Sequence, residues 1–95
     1  MKLKNKITIV TGGNSGIGFG IANAFRSEGA VGTITGRNKK TLDSAVEQLG
    51  NDSIGLAGDV TKADDLKSVY LRVKKLRLYH LQEGFRWIYY PEKSE

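Results

Sequence analysis

Three glycines at fixed spacing, Gly12, Gly16 and Gly18, are the residues of this sequence best suited to chemistry on an anion. They follow the apolar run 7–10 and open a stretch with helical periodicity. Glycines at such a turn let the chain leave a strand tightly and remove side chains where a phosphate must approach the backbone. The helix start adds free N–H groups and the positive end of a dipole. The spacing predicts a phosphate-binding loop; a tight turn without a ligand is the alternative.

The elements that must position this loop alternate between strand and helix over the first 70 residues. β-Branched and apolar runs predict strands at 6–10, 31–35 and 53–57. Helical spacing predicts helices at 16–26 and 39–49 and a third after residue 61. Strands separated by helices imply a parallel sheet with right-handed crossovers. The predicted fold class is therefore α/β, half of a doubly wound sheet.

Finer features of the three helices also follow from the pattern. Ile17, Ile21, Ala24 and Phe25 have the spacing of one buried face on the first helix. Asn38 is placed to cap the second helix. Thr61, with an aspartate three residues later, is predicted to cap the third.

Residues 11–18, Thr-Gly-Gly-Asn-Ser-Gly-Ile-Gly, resemble the TGxxxGIG signature of the short-chain dehydrogenase/reductase family. Residues 35–38 and 58–61 resemble the ends of that family's second and third strands, where the resemblance implies that Asp59 helps to hold the adenine. The resemblance spans about residues 3–70 and implies a partial Rossmann fold of about three β-α units that binds a dinucleotide. The candidate cofactor-binding residues are Gly12, Asn14, Ser15, Gly16, Ile17, Gly18, Arg37, Asn38, Asp59 and Val60.

Charge at the end of the second strand indicates which dinucleotide is preferred. An acidic residue there would accept hydrogen bonds from a ribose 2′-hydroxyl and repel a 2′-phosphate, whereas an arginine attracts the phosphate. This chain has Gly36 followed by Arg37. The sequence therefore favours NADP over NAD, with a solvated loop arginine as the alternative.

No catalytic residues are predicted. The resemblance implies a tyrosine acid/base, a lysine four residues later, a serine and an asparagine, in segments that follow the fourth strand. Two Tyr-x-x-x-Lys pairs occur, Tyr70 with Lys74 and Tyr89 with Lys93, but the first lacks an upstream serine and Pro91 interrupts the second. The chain is interpreted as a truncated oxidoreductase of alcohols or carbonyls, frameshifted near residues 67–75, without turnover by itself.

Residues 71–95 are predicted to form a divergent basic and aromatic tail, irregular or helical, after a dinucleotide-binding part at residues 1–70. The segment 85–90 has strand-like content, but without a true fourth strand the first strand would become a sheet edge. The alternative function is a binding module whose tail contacts nucleic acid through Arg72, Lys74, Lys75, Arg77, Arg86, Trp87, Tyr89 and Tyr90. A solvated helix face is favoured over it. Self-association through the exposed edge is a third hypothesis.

Composition excludes several classes of site. The 95 residues include no cysteine and one histidine, which excludes disulfides and thiolate zinc sites, and no metal site is predicted. The net charge of +5 bears on association and not on fold. No apolar run is long enough for a membrane span or a signal-peptide core. A cytoplasmic location is therefore expected.

Overall fold

Four parallel strands and four helices make up the part of the chain that the structure, a computed structural model, describes: residues 2–12, 16–50, 52–59 and 62–90. The elements are β1 (Lys6–Thr11), α1 (Gly16–Ser27), β2 (Val31–Gly36), α2 (Lys39–Leu49), β3 (Ile54–Ala57), α3 (Ala63–Leu76), α4 (Leu78–Gln82) and β4 (Arg86–Tyr90). The strand order is β3-β2-β1-β4. This is the order of the first four strands of a doubly wound sheet, so the predicted partial Rossmann fold is confirmed.

Helix α2 begins where the sequence pattern placed it, because Asn38 caps its first turn. The Asn38 side chain accepts hydrogen bonds from the backbone N–H groups of Lys40 at 2.9 Å and Thr41 at 3.2 Å. These are donors that a helix start cannot satisfy internally. Helix α3 has Lys62 in the N-cap position with no side-chain cap bond. The predicted cap Thr61 lies outside the described residues.

Two apolar clusters lie on opposite faces of the sheet, because successive side chains of a strand point to opposite sides. Val10 of β1 belongs to a cluster with residues of α1, β2 and α2, including Ala22, Ile34 and Leu42. The neighbouring Ile9 belongs to a second cluster that includes Val69 and Val73 of α3. Helices α1 and α2 therefore cover one face, and α3 covers part of the other.

The buried face of α1 differs from the predicted one. Ile17 is 83% exposed, and Ala22 is the buried residue of this helix. Phe19, Ile21 and Phe25 pack partly against the core, while Ala24 is exposed. Ile17 lies in the first turn of α1, and its favourable spacing does not bury it.

Strand β4 pairs with β1 along the side of β1 that the sequence predicted to be an open sheet edge. It pairs with β1 in parallel from Lys6↔Arg86 to Val10↔Tyr90. Apart from Arg86, β4 consists of one isoleucine and three aromatic residues, which are residue types that suit a pleated surface. Helix α3 continues without a break through residue 70. The boundary between the dinucleotide-binding part and the tail at residue 70 stays a prediction. Within the described residues, no helix is long and apolar enough to span a membrane.

Gly55 of β3 provides a test of the packing between the sheet and α2. A Cβ atom at this position would lie 2.7 Å from Cγ2 of Val46 and 2.9 Å from Cγ of Leu42. Both atoms belong to side chains with little freedom to retreat, so Gly55→Ala is expected to lower the free energy of unfolding by about 1–3 kcal/mol. Urea denaturation measures this change.

Gly20 supplies the matched control, because its added Cβ would meet nothing within 4 Å and it lies inside α1. Gly20→Ala should instead raise the free energy of unfolding by about 0.5–1 kcal/mol through helix propensity. Equal effects of the two substitutions would contradict the close contact at Gly55.

Candidate dinucleotide site at the carboxyl edge of the sheet

Two backbone hydrogen bonds extend the sheet pairing past the strand ends and bring the three predicted motifs to one edge. The N–H of Gly12 donates to the carbonyl oxygen of Thr35 at 3.0 Å. The N–H of Gly58 donates to the carbonyl oxygen of Gly36, also at 3.0 Å. The residues that follow β1, β2 and β3 therefore lie side by side at the carboxyl edge. In doubly wound sheets, ligands bind at this edge.

Two glycines of the loop have backbone conformations that other residues rarely adopt. Gly12 has φ +70° at the end of β1, and Gly16 has φ +57° at the start of α1. A Cβ on Gly16 would meet nothing within 4 Å. The missing side chain thus leaves open space beside the helix start, where unpaired N–H groups and the helix dipole favour an anion. The residues present fit a dinucleotide phosphate.

Arg37 and Asn38 follow β2 directly, and their side chains are exposed. The structure gives Arg37 no ion pair with another described residue, which leaves its guanidinium open to solvent. Asn38 already uses its side-chain oxygen to cap α2. A role in binding would therefore fall to its amide NH₂ group, which can donate to an acceptor.

Asp59 is held in place by the start of α3. Its backbone N–H donates to Oδ2 of Asp65 at 3.0 Å, and its carbonyl oxygen accepts from the N–H of Lys62 at 2.9 Å. A Cβ on the preceding Gly58 would lie 3.0 Å from Cγ2 of Val69. The turn after β3 therefore packs closely on α3 and fixes where Asp59 leaves the sheet.

The structure brings some of the predicted site residues together and does not describe others. Gly12, Gly16, Ile17, Gly18, Arg37, Asn38 and Asp59 lie at or next to the carboxyl edge. Asn14, Ser15 and Val60 lie outside the described residues. Ile17, in the first turn of α1, places a large exposed apolar side chain at this edge.

The Tyr-x-x-x-Lys pairs of the sequence do not belong to this edge. Tyr70 and Lys74 lie on the exposed surface of α3, and Lys93 lies outside the described residues. Among the residues that the structure describes, no group of three His, Asp or Glu side chains is placed to hold a metal ion.

Arg77 belongs to the predicted basic tail, but it is a buried structural residue. It is 4% exposed, and its Nη2 donates to the carbonyl oxygen of Gly32 at 2.8 Å and to that of Asp52. It therefore cannot contact nucleic acid. The side chains of Trp87 and Tyr90 lie outside the described part of the chain. The sequence did not predict the burial of Arg77, because a run of basic residues carries no signal that distinguishes a buried arginine from the exposed ones.

Comparison with known proteins agrees with the predicted α/β fold. The short chain dehydrogenase family profile matches residues 6–79. The chain is 44% identical over 70 residues to a peroxisomal 2,4-dienoyl-CoA reductase of Arabidopsis thaliana, covering 70% of this chain and 24% of the relative. It is 42% identical over 76 residues to oxidoreductase asL5 of Sarocladium schorii, covering 80% of this chain and 30% of that protein.

A solved structure of a short chain dehydrogenase/reductase family protein superposes with a TM-score of 0.73 at 30% identity, over 76% of this chain and 31% of the other. The chain thus spans 24–31% of the length of these relatives. The chain corresponds to only a part of each of these relatives. Because the family profile matches most of its length, the chain belongs to the short chain dehydrogenase family.

Proposed function

We propose that this chain is the NADP-binding part of an oxidoreductase that acts on an alcohol or a carbonyl group. The family binds NAD or NADP, and a bound nicotinamide supplies hydride-transfer chemistry. The observation that carries the preference for NADP is the exposed Arg37, which follows β2 where an NAD-selective protein would present a carboxylate. Its planar guanidinium suits bidentate contact with a phosphate.

The remaining residues of the edge have simpler roles in this proposal. The backbone around Gly12, Gly16 and Gly18 would accept the pyrophosphate at the start of α1, because no side chain stands in its way. Asp59 and Val60 would border the adenine, with Asn14, Ser15 and Asn38 as polar neighbours. Ile17, 83% exposed, would offer an apolar contact to the ligand.

Binding without turnover is the activity proposed for the 95 residues themselves. Neither Tyr70 nor Tyr89 is given a catalytic role, because the first Tyr-x-x-x-Lys pair lacks an upstream serine and Pro91 interrupts the second. The substrate of a whole oxidoreductase of this kind is not assigned. A cytoplasmic location stays a prediction.

Titration of the purified chain with NADPH and with NADH tests this function. Nicotinamide fluorescence and thermal unfolding would be followed in the same samples. Saturable binding with NADPH at least about tenfold tighter than NADH is expected, from the added charge-assisted hydrogen bonds to the 2′-phosphate. Equal affinities, or a preference for NADH, would contradict the assignment of Arg37.

A further inference from the structure

A cavity of about 390 Å³ lies at the amino edge of the sheet, at the opposite end of the strands from the glycine loop. It is bordered by the last turn of α1, the start of β2 and the residues before β3. Its volume is in the range of small-molecule sites, about 300–1,000 Å³. We call it the amino-edge cavity, and its polar and glycine lining residues are Arg26, Ser27, Gly29, Gly32, Asp52 and Ser53.

The turn after α1 holds one wall of the amino-edge cavity in place. Gly29 has φ +93°, and its N–H donates to the carbonyl oxygen of Arg26 at 2.9 Å. The N–H of Ala30 donates to the carbonyl oxygen of Phe25 at 3.1 Å. This pair of bonds is the Schellman arrangement that closes a helix end. The backbone of Arg26 is therefore anchored, while its side chain lines the cavity.

Gly32 contributes open space to the cavity. It lies inside β2, where a glycine weakens the strand and often marks the close approach of a ligand. A Cβ atom on Gly32 would lie 3.5 Å from Oγ of Ser53. The missing side chain therefore leaves room beside a hydroxyl group that can both donate and accept a hydrogen bond.

Arg26 brings to this wall a positive charge that no ion pair neutralises within the part of the chain that the structure describes. Its Nε atom is buried without a hydrogen-bond partner among the same residues. A buried N–H group without an acceptor costs free energy, so a ligand that supplies acceptors to this guanidinium is favoured. The planar guanidinium matches the paired oxygens of a carboxylate or a phosphate.

Neighbouring charges select a ligand with a single negative charge. Asp52 also lines the cavity, but its carboxylate faces the buried Arg77. Burial lowers the pKa of Arg77, and the attraction of Asp52 opposes that shift. These two charges offset each other and leave the charge of Arg26. The carboxyl end of α1 is the negative end of its dipole, which disfavours a second negative charge. A monocarboxylate therefore fits better than a phosphate.

We propose that the amino-edge cavity binds a small hydroxycarboxylate. The carboxylate of the ligand pairs with the guanidinium of Arg26, and its hydroxyl groups form hydrogen bonds with Ser27 and Ser53. Oγ of Ser27 donates to the carbonyl oxygen of Asn23 at 3.0 Å, so it offers the ligand an acceptor. Binding here needs no dinucleotide, so it is tested separately from the proposed function.

Three four-carbon probes of different charge test the proposal: threitol is neutral, threonate has one carboxylate and tartrate has two. Amide signals of glycine-labelled protein would be followed at constant ionic strength without cofactor. Threonate should shift Gly29 and Gly32 along one saturable curve, at least about tenfold more tightly than threitol or tartrate. Gly12 and Gly58, at the carboxyl edge, should stay in place.

Two substitutions in the cavity, each with a matched control, locate the site. Arg26→Gln should weaken threonate binding about tenfold or more, whereas Arg72→Gln, at an exposed position of α3, should not change it. Gly32→Ala adds a methyl group beside Ser53 at an ordinary contact distance and should weaken binding about fivefold. Gly20→Ala, whose Cβ meets nothing within 4 Å, should not. Thermal unfolding of each variant confirms that it folds.

Four results would overturn the proposal. The first is no saturable shift of Gly29 and Gly32 with threonate, and the second is a threonate affinity no higher than that for threitol or tartrate. The third is equal weakening by Arg26→Gln and Arg72→Gln. The fourth is a threonate shift confined to Gly12 and Gly58, because the carboxylate would then bind at the other edge of the sheet.

Discussion

Replacing Arg77 with alanine should lower the free energy of unfolding by about 2–4 kcal/mol, because this one side chain connects three separate segments. Arg77 follows α3, and its Nη2 donates to carbonyl oxygens of Gly32 in β2 and Asp52 before β3. Hydrogen bonds from a charged donor contribute more than neutral ones, about 1.5–3 kcal/mol. The apolar stem of the arginine adds packing that alanine cannot replace.

Burial has a cost at this position that the hydrogen bonds must offset. Desolvation lowers the pKa of Arg77 from its ordinary value, and the nearby Asp52 carboxylate opposes that shift. The Nε atom is buried without a partner among the described residues. Removing the arginine relieves this cost but leaves the carbonyl oxygens of Gly32 and Asp52 without their charged donor, so a net loss of stability is expected.

Urea denaturation of Arg77→Ala beside Arg72→Ala measures the effect. Arg72 lies on α3, the helix that Arg77 follows, and is exposed, so its replacement should change the free energy of unfolding by no more than about 0.5 kcal/mol. Arg77→Lys keeps the charge but not the forked donor geometry, and its stability should fall between wild type and alanine. Arg77→Ala and Arg72→Ala with the same stability would refute the structural role of Arg77.

Reversing the charge at Arg37 should have the largest effect on ligand binding. Arg37→Glu removes the proposed partner of the 2′-phosphate and puts a carboxylate in its place. The affinity for NADPH should fall about 100-fold, which is about 2.7 kcal/mol. The affinity for NADH should not fall, because a glutamate can accept hydrogen bonds from the ribose 2′-hydroxyl.

Lys40→Glu is the matched control for this charge reversal. Lys40 lies in the first turn of α2 and is exposed, three residues after Arg37. Its replacement changes net charge by the same amount without touching the end of β2. Calorimetric titrations of both variants would separate a local contact from a general attraction of the basic chain for a polyanion. A 100-fold loss in both variants would contradict a specific role for Arg37.

The sequence predicted those parts of the fold whose signals are local. Helix α2 has its cap, its inward leucines Leu42 and Leu49 and its terminal Gly50 within one short stretch, and its bounds came out as expected. The strands before and after it are short β-branched or apolar runs between turn residues. Such signals need no knowledge of the partner strand.

Features that depend on distant partners were not predicted. The role of β4 depends on its pairing with β1, about 80 residues earlier in the chain. The burial of Arg77 depends on two carbonyl groups far away in sequence. Ile17 has the spacing of a buried residue but is exposed. Periodicity indicates which residues share a helix face and not whether a neighbouring element covers them.

For the candidate site, the sequence predicted that a motif follows each of β1, β2 and β3. It could not show that hydrogen bonds from Gly12 to Thr35 and from Gly58 to Gly36 align them at one edge. The sequence assigned Asn38 both a capping role and a binding role. It did not show that capping of α2 uses the side-chain oxygen and leaves the amide NH₂ group for a ligand.

Backbone amide signals of glycine-labelled protein test the central claim most directly, namely that the loop between β1 and α1 receives a dinucleotide. With NADPH added, the signals of Gly12, Gly16 and Gly18 should shift along one saturable curve. Gly50 and Gly84 precede β3 and β4 at the opposite edge of the sheet, so their signals should stay in place. If the loop glycines do not shift, or shift no more than Gly50 and Gly84, the dinucleotide does not bind at this loop.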